Sequence, residues 1–239
     1  MNPKNIILAH LPRDVYDRIE TDLKPVTLTR GEIIHRPGEE IRNLYFPTSC
    51  MISITVTASD GRTVEAGAIG RREVVGINAF MGGRETTQTE YIVQIPGEAL
   101  KISAEPLKIE FNRNTQLRDL LLKYTQAMIA QISQNVACNR LHDINQRFAR
   151  WLLEVSDRIE SSTFPLTQEF IAEMLGVRRA GVTETAGKFK EMGLIEYSRG
   201  DIEITDLKRL EDASCECYMV LRDEYDRLLG LKSSDEKAE

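Results

Sequence analysis

Apolar and polar positions change their spacing three times along the chain. From about Gly31 to Ile102, glycines punctuate short apolar runs such as Ile33-Ile34, Leu44-Tyr45-Phe46 and Tyr91-Ile92-Val93. Between Met51 and Thr57, Ile52, Ile54 and Val56 alternate with Ser53, Thr55 and Thr57, the period of a half-buried strand. Asp60-Gly61 separates two such runs and predicts a hairpin turn. Many short strands at close spacing predict a sandwich, barrel or roll.

From about Glu105 to Glu160 there is no glycine, and no proline after Pro106. Leu117, Leu121, Tyr124 and Met128 recur at helical spacing, and a second stripe of Leu122, Ile129, Ile132 and Val136 lies about 90° round the axis. Two stripes make a wider apolar arc than one packing surface needs. One face is expected to cover the chain's own strands and the other to meet the same helix of a second copy. The residues assigned to that interface are Leu117, Leu121, Tyr124, Met128, Gln131 and Ile132. The alternative is a helix buried between two parts of one monomer.

From Thr163 to Thr205 the spacing changes again. Thr167 is an N-cap for a short helix ending at Gly176, and a second helix runs from Arg178–Arg179 to about Met192, closed by Gly193. Two apolar runs flanking Arg199-Gly200-Asp201 predict a small hairpin, completing a winged helix-turn-helix. With Val182 at 0°, Ala186 and Phe189 fall within about 40° of it and form the buried stripe. Ala180, Thr183, Glu184, Gly187 and Glu191 lie opposite, with Lys188 at the edge. A second helix of this kind enters the DNA major groove with its N-terminal residues against base edges.

Charge qualifies that picture. The 239 residues carry a net charge of -6, so any DNA-binding surface must be a local patch. Arg178 to Lys190 supplies one, with four cations against one acid. From Glu211 onward four cations face nine acids, and that tail is expected to point away from DNA. No GxSxG, Walker, HExxH or GxGxxG pattern occurs, so nothing argues for an enzyme. No apolar run is long enough to span a membrane and Met1 to Lys24 lacks a signal-peptide pattern, which makes a cytoplasmic location the default.

Taken together, the zones resemble the Crp/Fnr family of bacterial transcription regulators. Arg30 to Glu40 followed by Leu44-Tyr45-Phe46, and the turn at Asp60-Gly61-Arg62, resemble the family's cyclic-nucleotide-binding β-roll. Leu166-Thr167-Gln168-Glu169 through Leu175-Gly176-Val177, then Arg178 to Glu184, resemble its helix-turn-helix. The resemblance implies an α+β chain with a roll over 1–104, a long dimerisation helix region over 105–160, and a winged helix-turn-helix with a C-terminal helix over 161–239. It implies a homodimer reading a near-palindromic site whose half-sites lie about 34–36 Å apart, the spacing of the helix-turn-helix class. Double-stranded DNA is the implied partner, and RNA polymerase too if the regulator is an activator; no membrane is implied.

Residue by residue, Arg179 is the foremost candidate for a base contact, Arg being the commonest reader of guanine. Arg178, Thr167, Gln168 and Arg199 are candidates for phosphate contacts, and Ala180, Thr183, Glu184 and Lys188 complete the expected DNA face. The effector pocket departs from the family. Gly76-Ile77 stands where the family has a Gly-Glu pair for the ribose, and Glu85 to Glu90 contains no Arg for the cyclic phosphate. Gly76, Ile77 and Arg84 therefore mark a degenerate pocket that argues against a cyclic nucleotide and leaves any effector unidentified. The family's iron–sulfur branch has an N-terminal cysteine cluster, and Met1 to Pro25 holds no cysteine.

The four cysteines are Cys50, Cys138, Cys215 and Cys217, and no histidine pair has a metal-ligand spacing, so no metal site is expected. On a single helix from Leu207 to Leu229, residues two apart point about 200° apart. Cys217 would then join the apolar stripe, Cys215 would be exposed, and the two could not share a metal. The competing functional reading is a small-ligand or redox sensor acting through protein contacts.

Overall fold

A computed structural model of the chain describes residues 3–80, 89–113, 115–198 and 200–230. Two short helices, α1 (Ile6–Ala9) and α2 (Arg13–Glu20), precede the strands β1 (Lys24–Leu28), β2 (Ile33–His35), β3 (Asn43–Pro47), β4 (Met51–Thr57), β5 (Thr63–Ile69), β6 (Glu90–Ile95) and β7 (Gly97–Ser103). These strands pair antiparallel, in two sheets of order β1-β7-β3 and β2-β6-β4-β5. They enclose an apolar interior of Leu28, Ile52, Ile54, Val75, Tyr91 and Val93. The β4–β5 hairpin turns where Asp60-Gly61 predicts it, with Gly61 at φ +84, a left-handed value that glycine adopts without a Cβ clash.

The expected half-burial of β4 is not what forms. Ser53 and Thr55 are as buried as Ile52 and Ile54, and Val56 and Thr57 at the hairpin end are exposed. The reason is a second packing layer. The outer face of β4 and its neighbours meets helix α5 (Ile144–Ile159), so Met51, Ala68 and Ile95 share a core with Trp151, Leu152 and Val155. Ser53 lies 2.6 Å from both Glu65 Oε2 and Gln94 Oε1, which satisfies polar groups that this layer closes off from water.

The glycine-free stretch is three helices: α3 (Ala104–Arg113), α4 (Thr115–Leu141) and α5. Nothing in composition marks the break between α4 and α5, because it is a polar cap. Asp143 accepts from the backbone of Asn145 and Gln146 while the Gln146 side chain reaches back to the Asp143 N–H, a capping box that starts a new helix.

Strand β8 (Thr163–Pro165) follows, then α6 (Gln168–Leu175), α7 (Arg179–Glu191) and the hairpin β9 (Ile195–Ser198) and β10 (Asp201–Ile204). β10 pairs with both β8 and β9, so the wing is a three-stranded sheet and not a bare hairpin. The expected single helix over Leu207–Leu229 divides into α8 (Leu207–Ala213) and α9 (Cys217–Leu229).

The apolar stripes of α4 separate as expected, and most of the residues assigned to the interface lie on the stripe that this chain buries itself. Leu117, Leu121 and Tyr124 are fully buried in this chain's own core with α1, α2, β3 and α9, and Met128 packs against it. Gln131 is buried too: it accepts from the Ala68 N–H at 3.0 Å and donates to the Tyr225 hydroxyl at 3.3 Å. These side chains are engaged within the chain, and Ile132 is partly buried. Leu122, Ile129 and Val136 are the exposed stripe, each more than half accessible. The first stripe is captured because roll and α9 sit on the same side of α4.

Candidate nucleic-acid interface

The helix-turn-helix is built by local rules. Thr167 Oγ1 accepts from the Phe170 N–H and caps α6, and Gly176 ends it at φ +63. Val182, Thr185, Ala186 and Phe189 bury one face of α7 against α5, where Phe189 stacks on Phe148 with ring centroids 5.7 Å apart. Gly181 sits where a Cβ would lie 2.9 Å from Ile144 Cδ1, so glycine lets α7 lie close to the start of α5.

That burial turns the opposite face outward. Arg178, Arg179, Ala180, Thr183, Glu184, Gly187 and Lys188 are all exposed, and a Cβ on Gly187 would meet nothing within 4 Å. Thr167 is exposed at the start of α6 and Gln168 is partly so. Thr183 donates to Gln168 Oε1 at 2.7 Å, which fixes the α6 start against the α7 face. Arg178 is the N-cap of α7 without a side-chain cap bond, and its carbonyl accepts from the Gly181 N–H at 2.9 Å. Arg199 and Arg84 lie outside the described residues.

The face is less cationic than its residue count suggests. Arg179 Nε lies 3.5 Å from Glu169 Oε2, Lys188 Nζ is 2.8 Å from Glu184 Oε1, and Lys190 Nζ is 2.8 Å from Glu196 Oε2. Arg178 has no ion pair among the described residues. The pairs are solvent-exposed and therefore weak, so phosphate can compete for the cations. Glu169 and Lys190, absent from the expected DNA face, thus belong to this surface.

The degenerate pocket is apolar where the family resemblance expects a carboxylate. Gly76 has φ +95, and a Cβ there would press on the Asn43 carbonyl and the Ile41 and Leu44 side chains. Ile77, 3% exposed, joins the core that holds Leu44, Phe46 and Val74. Inside the roll His35 packs edge-on between Tyr45 and Tyr91, and its burial holds the imidazole below its ordinary pKa.

The cysteines contradict the helical arithmetic. Cys215 lies in the turn before α9 and is buried, not exposed; Cys217 opens α9 and is buried as expected. Because α8 and α9 are separate, the 200° separation does not apply, and Cys215 Sγ comes to 3.5 Å from Cys138 Sγ. Cys50 is buried at the β3–β4 turn and burial pushes its thiol up to about 12.

A roll carried into a winged helix-turn-helix by a long helix is the architecture of a class of helix-turn-helix transcription regulators. Residues 25–114 match the cyclic nucleotide-binding domain, and residues 146–213 match the Crp-like helix-turn-helix domain. The chain belongs to the Crp/Fnr family, whose members are transcription regulators and not enzymes. A CRP-like cAMP-activated global transcriptional regulator of Mycobacterium tuberculosis is 26% identical over 196 residues, 79% of this chain and 87% of that one. A global nitrogen regulator of Nostoc is 21% identical over 187 residues, 74% of this chain and 83% of the relative. Among solved structures, FixK2 from Bradyrhizobium japonicum superposes with a TM-score of 0.69 at 15% identity, covering 81% of this chain and 98% of its own. At that identity the likeness concerns the fold. No helix among the described residues is long and apolar enough to cross a membrane.

Proposed function

We propose that this chain is a homodimeric, sequence-specific regulator that reads near-palindromic duplex sites through α7. The observation that carries the reading is the outward projection of Arg178 and Arg179 at the start of a helix whose opposite face is buried. Arg179, Thr183 and Glu184 are the base-facing candidates; Thr167, Gln168, Arg178, Lys188 and Arg199 contact phosphate, and Ala180 allows close approach. The second copy docks along Leu122, Ile129 and Val136, the apolar face of α4 that the chain does not use itself.

The roll does not work as a cyclic-nucleotide pocket in this reading. Ile77 stands buried in place of the carboxylate, and the sequence from Glu85 to Glu90 offers no Arg for a cyclic phosphate. Where the bound dimer activates, it recruits RNA polymerase. The test is selection of genomic duplexes by the purified full-length protein, followed by affinity at several salt concentrations. Enrichment of an inverted repeat, with binding lost in Arg179→Ala, supports the proposal; no preference for any duplex sinks it.

A further inference from the structure

The end of α4 and the α8–α9 turn bring four metal-ligating side chains into one place. Cys138 lies in the last turn of α4 and His142 follows four residues later, a spacing that puts both on one side of the helix. Cys215 and Cys217 flank Glu216 at the start of α9. One donor atom from each of the four residues lies within 4.8 Å of the other three, and the three cysteines are buried. Cys138 Sγ is 3.5 Å from Cys215 Sγ, and Cys217 Sγ is 3.5 Å from His142 Nδ1. A tetrahedral zinc ion, with bonds of about 2.3 Å to sulfur and about 2.0 Å to nitrogen, sets its ligand atoms about 3.5–3.8 Å apart. Both closest pairs already stand near those separations.

The surroundings suit thiolates and a metal better than a plain apolar core. His142 Nε2 lies 3.2 Å from Glu216 Oε2, so with Nε2 carrying the proton, Nδ1 turns its lone pair to the sulfurs. A carboxylate behind the distal nitrogen is the usual support of a metal-bound histidine. Gln134 donates to Cys217 Sγ at 3.1 Å, a bond that strengthens when the sulfur is anionic. The guanidiniums of Arg147 and Arg150 act electrostatically on the same thiols, and the Nε atoms of both are buried without a hydrogen-bond partner. Three thiolates and one divalent ion carry a net negative charge; Arg147 stands beside it, and Arg150 does so while also pairing with Glu154 at 2.6 Å.

We propose that Cys138, His142, Cys215 and Cys217 form a structural zinc(II) site of the Cys3His type. Four protein donors leave no open coordination position, so the ion serves as a clasp and not as a catalyst. It joins the end of α4 to the α8–α9 turn at the corner where the chain enters α5, and thus braces the winged module against the long helix. Soft thiolates with one imidazole in tetrahedral array select zinc over oxygen-preferring ions.

The test uses the full chain, purified under reducing conditions without chelator or a histidine tag. Elemental analysis is expected to find about one zinc per chain, released when a mercurial blocks the thiols. Cobalt(II) added to the stripped protein should give thiolate-to-metal charge transfer and the intense visible bands of a tetrahedral site, and metal should raise the melting temperature. Cys215→Ser should lose the metal while Cys50→Ser keeps it. The cobalt spectrum of the unsubstituted chain decides the matter if a variant fails to fold. Absence of both zinc and the cobalt bands, metal retained by Cys215→Ser, or a Cys138–Cys215 disulfide as the main form of the freshly isolated chain would each overturn the site. None of these readouts depends on DNA binding.

Discussion

Trp151 Nε1 donates to Glu65 Oε1 across 3.0 Å, from the middle of α5 into the outer face of β5. The carboxyl is buried among Ser53, Trp151 and the apolar layer, and burial pushes it up to about 7 against an ordinary 4.5. Between those two values the unfolded chain ionises Glu65 while the folded chain still holds its proton. Folding stability therefore falls as pH rises through this window, by about 3 kcal/mol from this group. Glu65→Gln should flatten the dependence and unfold at higher urea than the unsubstituted protein at pH 8. Burial raises Glu73 and Asp157 as well, so some slope remains in the variant. Urea unfolding at intervals from about pH 4.5 to 8 measures this; identical slopes for the two proteins would refute it.

Gly70 holds the same contact at its other end. A Cβ there would lie 2.4 Å from Arg158 Cβ and 2.9 Å from the Arg158 carbonyl, which itself accepts from Arg71 N–H. Arg158 cannot swing aside, because its guanidinium is tied to Ala68 O, Glu73 and Glu154. Gly70→Ala is expected to cost about 1–3 kcal/mol or more by overpacking, read as a lowered urea midpoint. Gly187→Ala, where a Cβ meets open space in mid-helix, should instead stabilise by about 0.5–1 kcal/mol.

These contacts mark the limit of what local sequence carries. Glycine punctuation, the Thr167 cap and the Val182–Ala186–Phe189 stripe are local signals, and the roll, α6 and α7 form where they point. Long-range packing is not written in local period. The two-sided burial of β4 depends on α5, a helix far downstream in the chain, and the Ser53 and Thr55 face of the strand gives no hint of that cover. The same limit governs α4. Its two stripes are equally apolar, and only the placement of α9 beside the roll decides that Leu117, Leu121 and Tyr124 are taken. Cys138 and Cys215 are 77 residues apart, so no local pattern announces their meeting, although Cys138-x-x-x-His142 at helical spacing is a legible half of the site.

The two faces of α4 should respond oppositely to substitution. Leu121→Ala removes a fully buried side chain and is expected to cost about 2–5 kcal/mol of folding stability. Ile129→Lys changes an exposed position and should leave the folded chain intact while placing a charge in the proposed interface. Sedimentation should find a monomer for Ile129→Lys with unchanged far-ultraviolet circular dichroism. A dimer of undiminished affinity in that variant would remove Leu122, Ile129 and Val136 from the interface.

Arg178 and Arg179 are neighbours with different surroundings, and DNA should tell them apart. Arg179 is 66% exposed and leans on Glu169, a pair weak enough for a base edge to replace. Arg179→Ala should weaken the selected site by about 1–3 kcal/mol and relax preference at one position of each half-site. Arg178 stands exposed at the N-cap, suited to a phosphate, so Arg178→Ala should weaken all sequences alike and reduce the salt slope by about one. Neither substitution should move the melting temperature appreciably, since both side chains are exposed. Titration of matched and scrambled duplexes at several salt concentrations separates the two effects. Equal losses on both duplexes for Arg179→Ala would reassign that residue from base reading to backbone contact.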